Sequence, residues 1–207
     1  MVRIGGFLPL SLCDYPRRVA AVVFTRGCNF RCPFCHNGHL LDGVGAPDDP
    51  SEDDVLARLA SLAARLQGVV VTGGEPTLHP GLADFLGRIR GLGLAIKLDT
   101  NGSRPDVLAT LLAARLLDFV AMDIKAPWPR YPELTGTACD VAAIQRSVAL
   151  IAGSGLPHQF RTTRATPLLS SADCDAITRQ VPDGSPHVFQ AFRPEQALDP
   201  RLRRVIG

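Results

Sequence analysis

Lysine is nearly missing from this chain of 207 residues, with Lys97 and Lys125 alone among 22 basic side chains. A lysine standing where arginine is the default is therefore informative. Net charge is also lacking: 22 Lys and Arg against 20 Asp and Glu leave +2. A protein that wraps a phosphate backbone needs a strong basic excess, so no nucleic-acid partner is expected. No apolar run approaches the ~18–20 residues of a membrane span. The opening Met1 to Leu10 has no charged n-region, long apolar stretch or small-residue cleavage site, which points to a soluble, cytoplasmic protein with no membrane partner. A second paired-cysteine half-site is missing too. Cys28, Cys32 and Cys35 lie within eight residues, whereas Cys13, Cys139 and Cys174 are scattered. In a reducing compartment these six are not three disulfides, and the scattered three read as small apolar residues. What is abundant is core material: 46% hydrophobic and 20% charged residues argue against disorder.

Apolar, β-rich runs recur along the chain: Val19 to Thr25, Gln67 to Thr72, Leu94 to Asp99, Asp118 to Asp123, His158 to Thr163 and His187 to Phe192. Helical patterns lie between them. Ser51 to Leu66 opens with a capping-box-like Ser51-x-x-Asp54 and repeats Val55, Leu59, Leu62 and Leu66 at spacings of three and four. Leu82, Phe85, Leu86 and Ile89 mark a second helix. Val107, Leu108, Leu111, Leu112 and Leu116 mark a third, with Pro105 in its first turn. Val141, Ile144, Val148 and Ile151 mark a fourth, and Ser171 to Gln180 a weaker fifth. This alternation predicts an α/β fold with a parallel sheet. Two closures remain open, a doubly wound sheet or a partial barrel of six βα repeats. One domain is expected, with residues 1–18 as an N-terminal extension, 19–194 as the core and 195–207 as a tail.

The cysteine segment, Cys28-Asn29-Phe30-Arg31-Cys32-Pro33-Phe34-Cys35-His36-Asn37, directly follows the first predicted strand. Its thiols therefore sit at the C-terminal edge of the sheet, where parallel α/β folds bind ligands. Thiolates suit zinc or an iron–sulfur cluster. Three on one loop can hold a [4Fe–4S] cube and leave one iron without a protein ligand; a structural zinc takes four, completed here by His36 or Cys13.

C-x3-C-x2-C after the first strand, with Phe34 before the last cysteine, resembles the signature of the radical S-adenosylmethionine (SAM) superfamily. Thr72-Gly73-Gly74-Glu75-Pro76 is similar to that superfamily's GGE motif. Asp99-Thr100-Asn101-Gly102 and Met122-Asp123-Ile124-Lys125 resemble segments of glycyl-radical-enzyme activases. Ser11 to Pro16, the cysteine run and Phe189 to Pro194 look most like anaerobic ribonucleoside-triphosphate reductase activating proteins. The resemblance implies a partial (β/α)6 TIM-like barrel, which decides the closure by analogy. It implies a [4Fe–4S] cluster on Cys28, Cys32 and Cys35, and SAM cleaved by one electron to methionine and a 5′-deoxyadenosyl radical. Gly73, Gly74 and Glu75 are implied to receive the methionine ammonium, and Lys125 the carboxylate. Phe34 and His36 would flank the adenine, Asp123 would meet a ribose hydroxyl, and Arg193 would contact SAM. A monovalent cation on Asp99, Thr100 and Asp123 is implied as well. Arg161 is a weaker SAM-contact candidate.

The substrate implied is a glycine of an anaerobic ribonucleoside-triphosphate reductase, met transiently, with a low-potential donor such as flavodoxin or ferredoxin. Glycine suits hydrogen abstraction because its backbone amide and carbonyl delocalise the spin, and its small size allows close approach. Two alternatives stand beside it: a small-molecule enzyme similar to 7-carboxy-7-deazaguanine synthase, and a non-catalytic zinc- or cluster-binding module. The chain departs from the activase pattern at Arg17, where a glycine is common after Asp-Tyr-Pro.

Overall fold

The computed structural model describes residues 1–204; the last three residues of the expected tail lie outside the described residues. Seven strands form one sheet in chain order: β1 (Ile4–Ser11), β2 (Ala20–Thr25), β3 (Gly68–Gly73), β4 (Ala95–Thr100), β5 (Phe119–Asp123), β6 (His158–Arg164) and β7 (His187–Ala191). β2 to β7 pair in parallel, each with its sequence neighbour. A doubly wound sheet reverses its strand order at a switch point. None occurs here, so the partial barrel is the closure adopted.

The helices are α1 (Glu52–Leu62), α2 (Leu82–Arg90), α3 (Pro105–Ala113), a one-turn α4 (Tyr131–Thr135), α5 (Val141–Gly153) and α6 (Ser171–Gln180). Their starts follow the expected chemistry. Ser51 caps α1 in a reciprocal capping box with Asp54, and Ser170 does the same for α6 with Asp173. α3 ends before the last predicted apolar position: Arg115 takes φ 52°, and Leu116 N–H returns to Leu111 O at 3.1 Å.

Alternation along each strand separates two apolar layers. Val69, Val71, Ile96, Leu98, Val120 and Met122 pack with the helices, and each such buried side chain contributes roughly 1.5–3 kcal/mol. The opposite faces put Ala20, Val22 and Val70 with Tyr15, Ala95 and Phe119 inside the barrel, near the starts of the strands. That plug leaves the C-terminal half of the barrel interior to polar residues.

β1 lies within the expected N-terminal extension, residues 1–18. It pairs antiparallel with β2 as an edge strand, and its register breaks between Leu8 and Ser11, around Pro9. Proline in a sheet is confined to such edges and irregularities. Arg17, the departure from the activase pattern, takes φ 61°, a left-handed conformation that glycine adopts without strain. No helix among the described residues is long and apolar enough to cross a membrane.

Candidate active site

The C-terminal ends of the parallel strands surround a cavity of about 330 Å³. Every predicted site residue except Arg193 lines it. A larger groove, about 1360 Å³, runs between α3 and α5 past Leu112 and Leu150 and holds none of them.

The cysteine loop is pinned by backbone bonds on both sides. Gly27 N–H and Cys28 N–H donate to Leu40 O and Leu41 O at 2.7 and 3.3 Å, and Arg31 N–H donates to Thr135 O at 2.7 Å. Cys28 and Cys35 are half-buried and Cys32 is buried. Burial pushes the Cys28 thiol up and the Cys32 thiol up to about 12. A soft metal centre bound here would displace the thiol protons. The donor set fits an iron–sulfur cluster. The two candidate fourth zinc ligands are otherwise engaged. His36 Nε2 accepts from Arg193 N–H at 3.1 Å, and its ring stacks on Phe192. Cys13 is exposed and meets Ser11 Oγ at 3.5 Å. All six cysteines are free.

The turn after β3 is pressed against this loop. Gly74 N–H donates to Thr25 O and Glu75 N–H to Gly27 O, both at 2.8 Å. A Cβ on Gly74 would fall 2.1 Å from Gly27 O, and Gly73 has φ +110°. The two glycines are thus required first by the packing of one loop on the next. Asn37 Nδ2 donates to Gly73 O at 3.3 Å, while the carbonyl of Gly74 accepts no bond from the described residues and can receive an ammonium.

Glu75, implied to receive the ammonium together with Gly73 and Gly74, is held by donors within the protein. It is fully buried, and burial raises its pKa. Its Oε1 accepts from Thr77 N–H, Thr77 Oγ1 and Thr100 Oγ1 at 3.1, 2.5 and 2.8 Å, and Oε2 accepts from Asn101 N–H at 2.6 Å. The carboxylate therefore locks the turn after β3 to the end of β4. Asn101 extends the lock, donating to Asn29 Oδ1 at 2.9 Å within the cysteine loop.

Across the cavity floor runs a ladder of charge. Lys97 Nζ meets Asp99 Oδ1 at 2.5 Å; Arg161 meets Asp99 Oδ2 through Nη1 and Asp123 Oδ1 through Nε, both at 2.9 Å; Lys125 Nζ meets Asp123 Oδ2 at 3.3 Å. Burial alone would raise the Asp123 carboxyl, but Arg161 and Lys125 outweigh it and hold the group at about 2. Burial would likewise lower the Lys125 ammonium, but the facing carboxylate of Asp123 keeps it above its ordinary value. Both stay charged across the neutral range. Lys97 and Arg161 complete the ladder, and sequence reasoning left Lys97 out. Its signal was there: Lys97 and Asp99 are two apart on β4 and so share a face.

Arg193 corrects the list from the other side. Its side chain is exposed and away from the cavity, and only its backbone N–H reaches the site, through His36. Burial and then the charge of Arg193 lower the pKa of that histidine. His158 and His187 are tied into local structure, His158 to Leu156 O and Ser185 Oγ at 2.8 and 3.0 Å and His187 to Thr162 Oγ1 at 3.0 Å.

Six parallel strands, with a three-thiol loop at the mouth of the first of them, define a partial barrel whose polar and thiol side chains gather at one end. The Radical SAM superfamily model matches residues 22–173, and the chain belongs to that superfamily. Membership implies a [4Fe–4S] cluster and SAM. A Methanocaldococcus jannaschii protein, provisionally named a glycyl-radical enzyme activating enzyme, is 28% identical over 207 residues, 98% of this chain and 85% of its own length. The 7-carboxy-7-deazaguanine synthase of Neisseria meningitidis serogroup B is 34% identical over 99 residues, 48% of this chain and 40% of the synthase. Among solved structures, Streptococcus suis SuiB bound to its precursor peptide SuiA superposes with a TM-score of 0.67 at 13% identity. That match covers 89% of this chain and 44% of SuiB, and it shows the fold alone.

Proposed function

We propose that the protein is an activase that takes a hydrogen from a glycine of an anaerobic ribonucleoside-triphosphate reductase and leaves a glycyl radical there. The observation that carries this reading is the similarity to the Methanocaldococcus jannaschii protein provisionally named a glycyl-radical enzyme activating enzyme, which runs over nearly the whole of this chain rather than over half of it. When bound, the cluster and SAM supply one-electron cleavage of the sulfonium, and the hydrogen taken from glycine ends on 5′-deoxyadenosine. The protein supplies placement. Cys28, Cys32 and Cys35 hold the cluster, the free Gly74 carbonyl takes the ammonium, and Lys125 takes the carboxylate as a point charge. Phe34 and His36 form the wall against the adenine, and Asp123 is left to hold Lys125.

The outer edge of β7 supports a macromolecular substrate. Val188 and Phe189 are exposed there while Gln190 of the same strand lines the cavity, so a peptide loop can lie along the edge and reach inside. The encounter is transient and draws its electron from a flavodoxin- or ferredoxin-like donor in the cytoplasm.

The test is anaerobic reconstitution followed by SAM, dithionite and a candidate reductase, observed by EPR. A glycyl doublet is expected. 5′-Deoxyadenosine without the doublet would transfer the assignment to a small-molecule substrate, the reading that the match to the deazaguanine synthase favours.

A further inference from the structure

The monovalent cation expected on Asp99, Thr100 and Asp123 does not fit the residues present. Asp99 and Thr100 are consecutive on β4, so their side chains leave opposite faces of the strand. Thr100 Oγ1 donates to Glu75 at 2.8 Å and accepts from Gly102 N–H at 3.1 Å, on the side away from Asp99. Asp99 and Asp123 do share a face, because Asp99 pairs with Ala121, two residues before Asp123. The space between their carboxylates, however, is filled. Asp123 pairs with Arg161 in the β5–β6 register, and the guanidinium bonds one oxygen of each carboxylate at 2.9 Å. Lys97 and Lys125 take the other two oxygens. A cation added here would meet a guanidinium already bonded to both of its ligands.

We propose that Arg161 is the built-in cation of this site and that SAM binding needs no monovalent ion. Arginine stays protonated in proteins, so its charge does not depend on the salt present. Three cations against two carboxylates leave the floor with one positive charge over, while the neighbouring Glu75 is answered by its own four neutral donors. The guanidinium lines the cavity and its Nη2 has no partner among the described residues. Nη2 and Lys125 Nζ together face an incoming carboxylate, which rests on the SAM-binding reading given above. The fixed fork of arginine suits this bridging position, with Nε on one carboxylate and Nη1 on the other.

The experiment measures SAM affinity of the cluster-loaded protein by anaerobic equilibrium dialysis in potassium, sodium and tetramethylammonium chloride at equal ionic strength. Affinities equal within about twofold are expected. A loss of tenfold or more in tetramethylammonium would overturn the proposal. Absence of binding in every medium would overturn the SAM reading itself, and the proposal with it. Arg161→Met should bind SAM roughly ten- to hundredfold more weakly in tetramethylammonium and recover part of that in potassium. It should also broaden the NMR line of added thallium(I), which the native protein leaves sharp. An Arg161→Met protein with native affinity, or thallium broadening by the native protein, counts against it.

Discussion

Replacing Glu75 separates a structural lock from a ligand counter-ion. The carboxylate accepts from two backbone N–H groups, Thr77 and Asn101, and from the hydroxyls of Thr77 and Thr100. All three partner residues are buried. In Glu75→Ala the hydroxyls can rotate toward other acceptors, but the two N–H groups cannot. Each buried donor left without an acceptor costs about 1–3 kcal/mol, so the loss is about 2–6 kcal/mol. For a chain of this size that corresponds to a melting temperature lower by roughly 5–20 °C. Glu75→Gln keeps the three bonds to Oε1 and sets its amide nitrogen against Asn101 N–H. One donor opposed by another costs about 1–3 kcal/mol, or roughly 3–10 °C. Anaerobic differential scanning fluorimetry of the cluster-loaded proteins measures both. A Glu75→Ala protein melting within 2 °C of the native one would refute the lock, and equal losses of SAM affinity in the two variants would make Glu75 a direct counter-ion.

Gly74→Ala places a methyl group against Gly27 O and should break the Glu75–Gly27 backbone bond, costing about 2–4 kcal/mol. Cluster content after reconstitution should fall; undiminished iron and sulfide would contradict the close packing of the two loops. Lys125→Ala should keep its cluster and bind SAM roughly ten- to hundredfold more weakly, and unchanged affinity would remove Lys125 from the site. Asp123 sets an acid limit. Its carboxyl is held at about 2 against an ordinary 3.8, so the folded chain binds that proton more weakly than the unfolded chain. The stability it contributes is present above the ordinary value and lost as the pH falls through 2. Asp123→Asn should flatten acid unfolding across that window, and superimposable native and variant curves would count against the ion pairs.

The six parallel strands were legible as short β-rich runs, the first four of them buried on both faces and β7 exposed at the sheet edge; every one begins and ends within two residues of its predicted bounds. The cysteines, Gly73, Gly74 and Lys125 could be singled out because few residue types do their chemistry and the spacing is tight, and the strand ends bring them to one cavity. β1 was not among the predicted strands because Gly5, Gly6 and Pro9 are poor strand formers, and only pairing with β2 makes an edge strand of them. The work of Glu75 and Arg161 was hidden for a related reason. Their partners lie far away in the chain, Thr100 and Asn101 for the one, Asp99 and Asp123 for the other, and only the strand register brings them together. Arg193 misled in the opposite direction, since its position after the last strand gave no sign that its side chain turns outward.

The most direct measurement is the EPR spectrum of the reduced, anaerobically reconstituted protein before and after SAM is added. One [4Fe–4S] signal per chain should appear and should change when SAM binds, and alanine at Cys28, Cys32 or Cys35 should abolish it. A signal indifferent to SAM, or SAM cleavage surviving in any one of those variants, would contradict a cluster held by these three thiols with one iron open.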